Sequence, residues 1–174
     1  MIFTAIPLIG AYIVEIKKIE DDRGFFGRSF CKKEFGEMGL ETEMVQGNIS
    51  FNKKKGTLRG MHYQIAPYEE AKLVRCTEGS LFDVIIDLRP NSPTYKKWYG
   101  VELSLRNNKM LYVPKNFAHG FITLEDNTSV QYMVSEFYSP EAERGIKWDD
   151  PQFNIQWPIQ VAQISEKDNS HQNF

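Results

Sequence analysis

The segment KLVRCTEGSLFDVIIDL, residues 72–88, holds two strand-like runs, 72–77 and 80–88, parted by Glu78 and Gly79. Leu73 and Val74 stand in the first run and Leu81, Phe82, Val84, Ile85 and Ile86 in the second, and branched or aromatic side chains fit a pleated surface better than a helix. The Glu78-Gly79 step reads as a tight turn, because glycine enters left-handed backbone conformations without steric cost. The segment therefore predicts strand, turn, strand. Outward from it, WYGVELSL (98–105) and KMLYVP (109–114) form a second hairpin-like pair across Arg106, Asn107 and Asn108. SVQYMVSEFY (129–138) is a further long strand after the turn-prone Glu125, Asp126 and Asn127. Near the start, Val14 and Ile16 alternate with Glu15 and Lys17, as a strand with one wet face requires. Only KKEFGEMGL (32–40) reads as a helix, short and stopped at Gly39. Many short strands between turn signals predict an all-β, jelly-roll-like antiparallel sandwich or barrel. The tail from Asp150, with Pro151 and Pro158, should wrap the outside as irregular structure.

Composition narrows the class. At 174 residues, 41% hydrophobic and 25% charged, the chain suits one globular domain spanning residues 1–174 and not a disordered or fibrous protein. Twenty-one basic residues against 23 acidic ones leave a net charge of -2 and no basic surplus for a nucleic-acid partner. Cys31 and Cys76 are too few for a disulfide framework, and no CxxC pair suggests zinc, so a reducing compartment is expected. The opening MIFTAIPLIGAYIVEIKK is apolar but lacks a basic leader and is broken by Pro7 and Gly10. It reads as strand, not as a signal peptide or membrane span, and points to the cytoplasm.

The chemistry-bearing residues are few. His62 lies in GTLRGMHYQ and His119 in VPKNFAHGF, while His171 sits in a polar tail. Histidine suits acid–base work near neutrality because its unperturbed pKa is ~6.5. Neither His62 nor His119 has another histidine two residues away, so the spacing predicts no metal site. Arg23 in DDRGFF and Arg59 in LRG each stand beside a glycine, where a planar guanidinium can meet a phosphate; Lys72 and Lys167 are further cations. Tyr132, inside VQYMV, carries a phenol that is protonated at neutral pH and can donate a proton. Asp168, in ISEKD, is a carboxylate near the end of the chain. Each residue alone has an ordinary reading as core, cap or solvated charge. No Walker loop, GxGxxG, nucleophile elbow or catalytic cysteine context is present.

Nine segments taken in order resemble the dTDP-4-dehydrorhamnose 3,5-epimerase family of sugar-nucleotide epimerases. They are DDRGFF, VQGNIS, GTLRGMHYQ, AKLVR, DVIIDLRPNSPTY, VPKNFAHGF, the EFYSPE region, IKWDDP and ISEKD, running from about Asp21 to Asp168. The resemblance implies a cupin-like jelly roll and a homodimer whose N-terminal strands cross to the partner. It implies His62 as general base paired with Asp168, Tyr132 as proton donor on the opposite face of the sugar, and Lys72 near the C4 oxygen. Arg23, Gln46, Asn48, Arg59, His119, Glu143 and Lys167 match positions that hold the nucleotide or orient the sugar, and Tyr138 matches an aromatic that stacks on the base. Enolisation of a 4-keto sugar needs neither a redox cofactor nor a metal.

The sequence departs from the family pattern at Arg28 and Gly47, where acidic residues are common. Both changes remove negative charge near the expected nucleotide site. Three other readings stand beside epimerisation. A sugar-nucleotide ketoisomerase would also enolise its substrate but move the carbonyl. A non-catalytic sugar-binding cupin would have no use for a complete acid–base set, and a metal-dependent cupin oxygenase would want clustered histidines. The joint presence of His62, Lys72, Tyr132 and Asp168 favours the epimerase.

Overall fold

The runs flanking Gly79 do form strands, but they do not form a hairpin. A computed structural model describes residues 1–174. In chain order the elements are β1 (Ile2–Ala5), β2 (Tyr12–Glu15), β3 (Ile19–Asp21), β4 (Gly24–Phe26), α1 (Lys32–Glu37), β5 (Gln46–Asn52), β6 (Leu58–Gln64) and β7 (Lys72–Glu78). They continue as β8 (Ser80–Asp87), β9 (Trp98–Ser104), β10 (Lys109–Val113), β11 (Phe117–Thr123), β12 (Thr128–Val134), β13 (Glu143–Gly145) and α2 (Glu166–Asn169). One sheet has six strands in the order β1-β2-β10-β7-β12-β5, and the other has five, β13-β6-β11-β8-β9. The two enclose a jelly roll built on antiparallel pairs, as the strand and turn pattern predicts, and of the cupin kind that the resemblance implies.

Strands β7 and β8 belong to different sheets, and so do β9 and β10. Both hairpins expected from the sequence are therefore corners, where the chain passes from one sheet to the other. Turn chemistry makes the chain reverse sharply but does not choose the next strand's partner. Burial makes that choice, since β8 is covered on both faces, with Leu81 and Ile85 on one side and Val84 and Ile86 on the other. The strand expected over 129–138 ends at Val134. Beyond it, the side-chain amides of Gln46 and Gln64 accept from the backbone N–H of Tyr138 and Ser139 at 2.7 and 2.6 Å, replacing a strand partner.

Three apolar clusters follow from the alternation of side chains along the strands. Between the sheets, Val74, Cys76, Leu111 and Val130 of one meet Leu81, Ile85, Leu103 and Phe121 of the other. On the outer face of the six-stranded sheet, Phe35 of α1 is fully buried against Val14, Leu73, Met110 and Tyr112. That single burial contributes about 1.5–3 kcal/mol. On the outer face of the five-stranded sheet, the tail lays Phe153 and Trp157 over Val84, Ile86 and Ala118. The tail does wrap the outside. It is not wholly irregular, however: it makes a bridge from Gln163 to Thr57 and then forms α2, capped by the Ser165 side chain. No helix is long and apolar enough to cross a membrane.

Candidate active site

The inner faces of the barrel change character along their length. On β7 the residues Cys76 and Val74 belong to the core, and Lys72 follows them on the same face. On β12 Val130 gives way to Tyr132 in the same manner. The polar end opens into a cavity of about 500 Å³ lined by Arg59, His62, Lys72, His119, Tyr132, Lys167 and Asp168. A second cavity of about 320 Å³ shares His62, Lys72 and Tyr132 with it and adds Gln46, Asn48, Tyr138 and Glu143. Gln46 and Asn48 stand two apart on β5, so the strand period of two turns both to one face, while Gly47 between them lies on the exposed face.

Every site residue that the resemblance implies lines one of these cavities, except Arg23. That arginine sits at the turn of the β3–β4 hairpin, whose six residues are all exposed, and it bonds to Asp21 at 2.5 Å. Nor does Arg28 line either cavity; its guanidinium lies 3.2 Å from Glu34.

His62 Nε2 lies 2.9 Å from Asp168 Oδ1, and the Gly60 N–H donates to Asp168 Oδ2 at 3.1 Å. The Asp168 N–H in turn donates to Ser165 Oγ at 3.0 Å. Burial pushes the Asp168 carboxyl up, but the bond and charge of His62, with the Gly60 and Ser165 contacts, hold it below the usual carboxylate value. The strand that carries His62 approaches β11 very closely. A Cβ on Gly60 would come 2.5 Å from Gly120 Cα, so only glycine permits this contact at its φ of +117°. The register between β6 and β11 shifts at that point, between His119 and Phe121.

A second histidine–carboxylate pair lies deeper. His119 Nε2 is 2.7 Å from Asp83 Oδ1, with Asp83 wholly buried. Lys72 Nζ sits 2.9 Å from Glu70 Oε1, both largely buried. Burial, and then the charge of Glu70, raise the Tyr132 phenol above its ordinary value, so it carries its proton at neutral pH. At the mouth, Tyr138 Oη–H and Lys167 Nζ both donate to Glu143 Oε2, at 2.8 and 2.6 Å. Burial raises the Glu143 carboxyl, and the Lys167 and Tyr138 hydrogen bonds more than offset it, leaving it below the ordinary value. Arg59 is anchored by one edge, its Nε donating to Asn52 Oδ1 at 2.7 Å.

Three neighbours of the site are absent from the sequence reading, Asn52, Glu70 and Asp83, and a fourth, His171, is misplaced by it. Asp83 carries a usable signal, being charged at an inward position between Leu81 and Ile85. His171 is not out in a polar tail. Its ring fills the space a Cβ on Gly145 would need and meets the His62 ring edge-on, with centroids 5.6 Å apart. Burial holds the His171 imidazole below its ordinary pKa, reinforced by the charges of His62 and Lys167 against that of Asp168. With His62 and Asp168 it places three possible ligand atoms within 4.8 Å of one another, the one cluster at this site with metal-ligating chemistry.

The arrangement can do proton chemistry on two faces of one molecule. His62 comes from the five-stranded sheet, Tyr132 and Lys72 from the six-stranded sheet, and all three line both cavities. Comparison with known proteins agrees with this chemistry. Residues 5–174 match the family model described as dTDP-4-dehydrorhamnose 3,5-epimerase. The chain is 47% identical over 175 residues to the dTDP-4-dehydrorhamnose 3,5-epimerase of Shigella flexneri, covering 100% of this chain and 95% of that one. The crystal structure of the Elizabethkingia anophelis enzyme of the same name superposes with a TM-score of 0.97 at 42% identity, covering 100% of this chain and 96% of that one. A dTDP-6-deoxy-D-glucose-3,5-epimerase from Legionella pneumophila, solved in complex with dTDP-4-keto-L-rhamnose, superposes at 0.92 with 40% identity over 98% of this chain and 91% of that one. The chain belongs to the dTDP-4-dehydrorhamnose 3,5-epimerase family.

Proposed function

We propose that this protein inverts C3 and C5 of dTDP-4-keto-6-deoxyglucose, acting as an isomerase by enolisation and reprotonation. The observation that carries this reading is the placement of His62–Asp168 and Tyr132 on opposing sheets around one cavity, with Lys72 lining it too. The C4 carbonyl acidifies the hydrogens on C3 and C5. His62 removes each in turn, and Asp168 strengthens it as a base by favouring the imidazolium. The electron pair moves onto the C4 oxygen, where the Lys72 ammonium stabilises the enolate. Tyr132 returns a proton to the opposite face of the carbon, and the C4 carbonyl re-forms. Exchange with solvent through the open cavity then takes the proton from His62 and reprotonates Tyr132 before the next inversion, so the cycle closes without a redox cofactor or a metal.

Arg59 and Lys167 supply cations for the diphosphate, and Tyr138, more than half exposed at the mouth, offers its ring to the base. Gln46, Asn48, His119 and Glu143 orient the substrate. Arg23 reaches a site only in a homodimer, carried by the β3–β4 hairpin into the partner's cavity. The exposed Ile19, Phe25 and Phe26 of that hairpin support this reading, since exposed apolar clusters mark contact surfaces. Residues 1–174 act as one catalytic domain, and two unpaired cysteines fit a cytoplasmic location.

The test is NMR of dTDP-4-keto-6-deoxyglucose with the protein in deuterium oxide. Deuterium at C3 and C5 with inverted product is expected. A moved carbonyl without inversion would make the protein a ketoisomerase, and binding without exchange would make it a non-catalytic cupin.

A further inference from the structure

His171 has no part in that reaction. Its Nε2 is closed off from solvent and has no hydrogen-bond partner, yet it lies 3.9 Å from Asp168 Oδ1. The same Oδ1 lies 2.9 Å from His62 Nε2, so one carboxylate oxygen stands between two imidazoles. With Asp168 Oδ1 at 2.9 and 3.9 Å from the two imidazole nitrogens and all three atoms within 4.8 Å of one another, a point equidistant from them is about 2.4 Å from each. Zinc bonds to nitrogen and oxygen are about 2.0–2.2 Å, so shifts of a few tenths of an ångström complete the contacts.

The surroundings are those of a built site. The Gly60 N–H holds Asp168 Oδ2 and leaves Oδ1 to ligate, while Ser165 secures the backbone of the same residue. Gly145 leaves room for the His171 ring and confines it there. His62 is partly open to the cavity, which provides an entry path and a fourth coordination position. Two imidazoles and a carboxylate suit a borderline dication and not a hard one such as Mg²⁺.

We propose that His62, Asp168 and His171 form a binding site for a borderline transition-metal dication, Zn²⁺ above all, and that filling it inhibits the enzyme. Bound metal occupies the lone pair of His62 and the charge of Asp168, which the acid–base step requires. The inhibitory half rests on the proposed reaction; the binding half does not.

The test uses the full chain freed of metal by a chelator, with Zn²⁺ followed by calorimetry and Co²⁺ by its visible absorption. One Zn²⁺ per chain is expected, together with a rise in Tm by mass action. His171→Gln should weaken Zn²⁺ binding about 100-fold and abolish the Tm rise. His119→Gln should keep the affinity. The metal-free Tm shows whether His171→Gln is folded, and His171→Asn serves if it is not. Unchanged affinity in the folded His171 variant, no stoichiometric binding, or a loss in the His119 variant alone would overturn the site. In the turnover assay Zn²⁺ should inhibit the unaltered protein, reversibly with EDTA, and lose about 100-fold in potency against His171→Gln. Stoichiometric Zn²⁺ binding to a metal-free protein that turns over no keto sugar would leave the metal site standing and sink the reaction instead.

Discussion

Two histidine–carboxylate pairs share nearly the same hydrogen bond and differ in everything around it. His62 and Asp168 are 106 residues apart in the chain, and His62 is partly open to the cavity. His119 and Asp83 lie on neighbouring strands β11 and β8, both buried, where no substrate can reach the carboxylate. A base must take a proton from one partner and give it up to another, which needs an accessible ring. A buried pair instead holds one ring in one orientation. The contrast teaches that exposure, more than the pair itself, separates a base from a positioning group.

The sharpest way to break this comparison is to remove each imidazole in turn. His62→Ala should cost turnover towards the upper end of the range for a lost general base, about 10²–10⁴-fold, with little change in Tm. His119→Ala should act mainly through KM. Equal losses of kcat in both variants would erase the distinction.

Tyr132→Phe sharpens the other half of the reaction. Removing the hydroxyl takes away the proposed acid and leaves the proposed base, so inversion should fall about 10²-fold while deuterium still enters the substrate at a lesser loss. NMR reads both rates in one sample. If exchange and inversion fall together, Tyr132 does not act as the returning acid.

The carboxylates reverse the order of effects. Asp83→Ala should cost about 3–5 kcal/mol of stability, because it leaves the His119 ring buried without its partner. Asp168→Ala should cost less stability and about 10²-fold in turnover. Denaturant titration beside kinetics separates the two.

How much of this is legible in the sequence depends on whether the information is local. The runs at β7, β8, β9, β10 and β12 announce themselves through strand-forming residues, and Phe35 sits in the one readable helix. Sheet membership is not local: Gly79 turns at a φ of +71° whichever sheet follows. β11, buried throughout, has no alternation to reveal it. The partnership of Asp168 with His62 follows from the family resemblance, since no spacing rule links residues that distant. One local signal was nonetheless present. The run Ser165-Glu166-Lys167-Asp168 has the form of a helix N-cap, and Ser165 does accept from the Asp168 N–H. Reading it would have brought His171 within one helical turn of Asp168.

The smallest effect concerns acid. The Asp168 carboxyl is held below its ordinary value, so its contribution to stability is complete above about pH 3.9 and is lost as pH falls through the lower folded value. Asp87 follows the same sign further down. Burial raises its carboxyl, but bonds from Arg89, Ser92 and Thr94 take it to about 2, so its contribution fades only between pH 3.8 and about 2. Asp87 serves as the control because its cation is a permanently charged arginine. Asp87→Asn should therefore flatten the acid limb of the stability curve more than Asp168→Asn does, and at lower pH. Urea midpoints measured from pH 5 down to pH 2 should show this order. A larger flattening in Asp168→Asn would mean that the His62–Asp168 pair, and not the buried loop anchor, holds the fold together in acid.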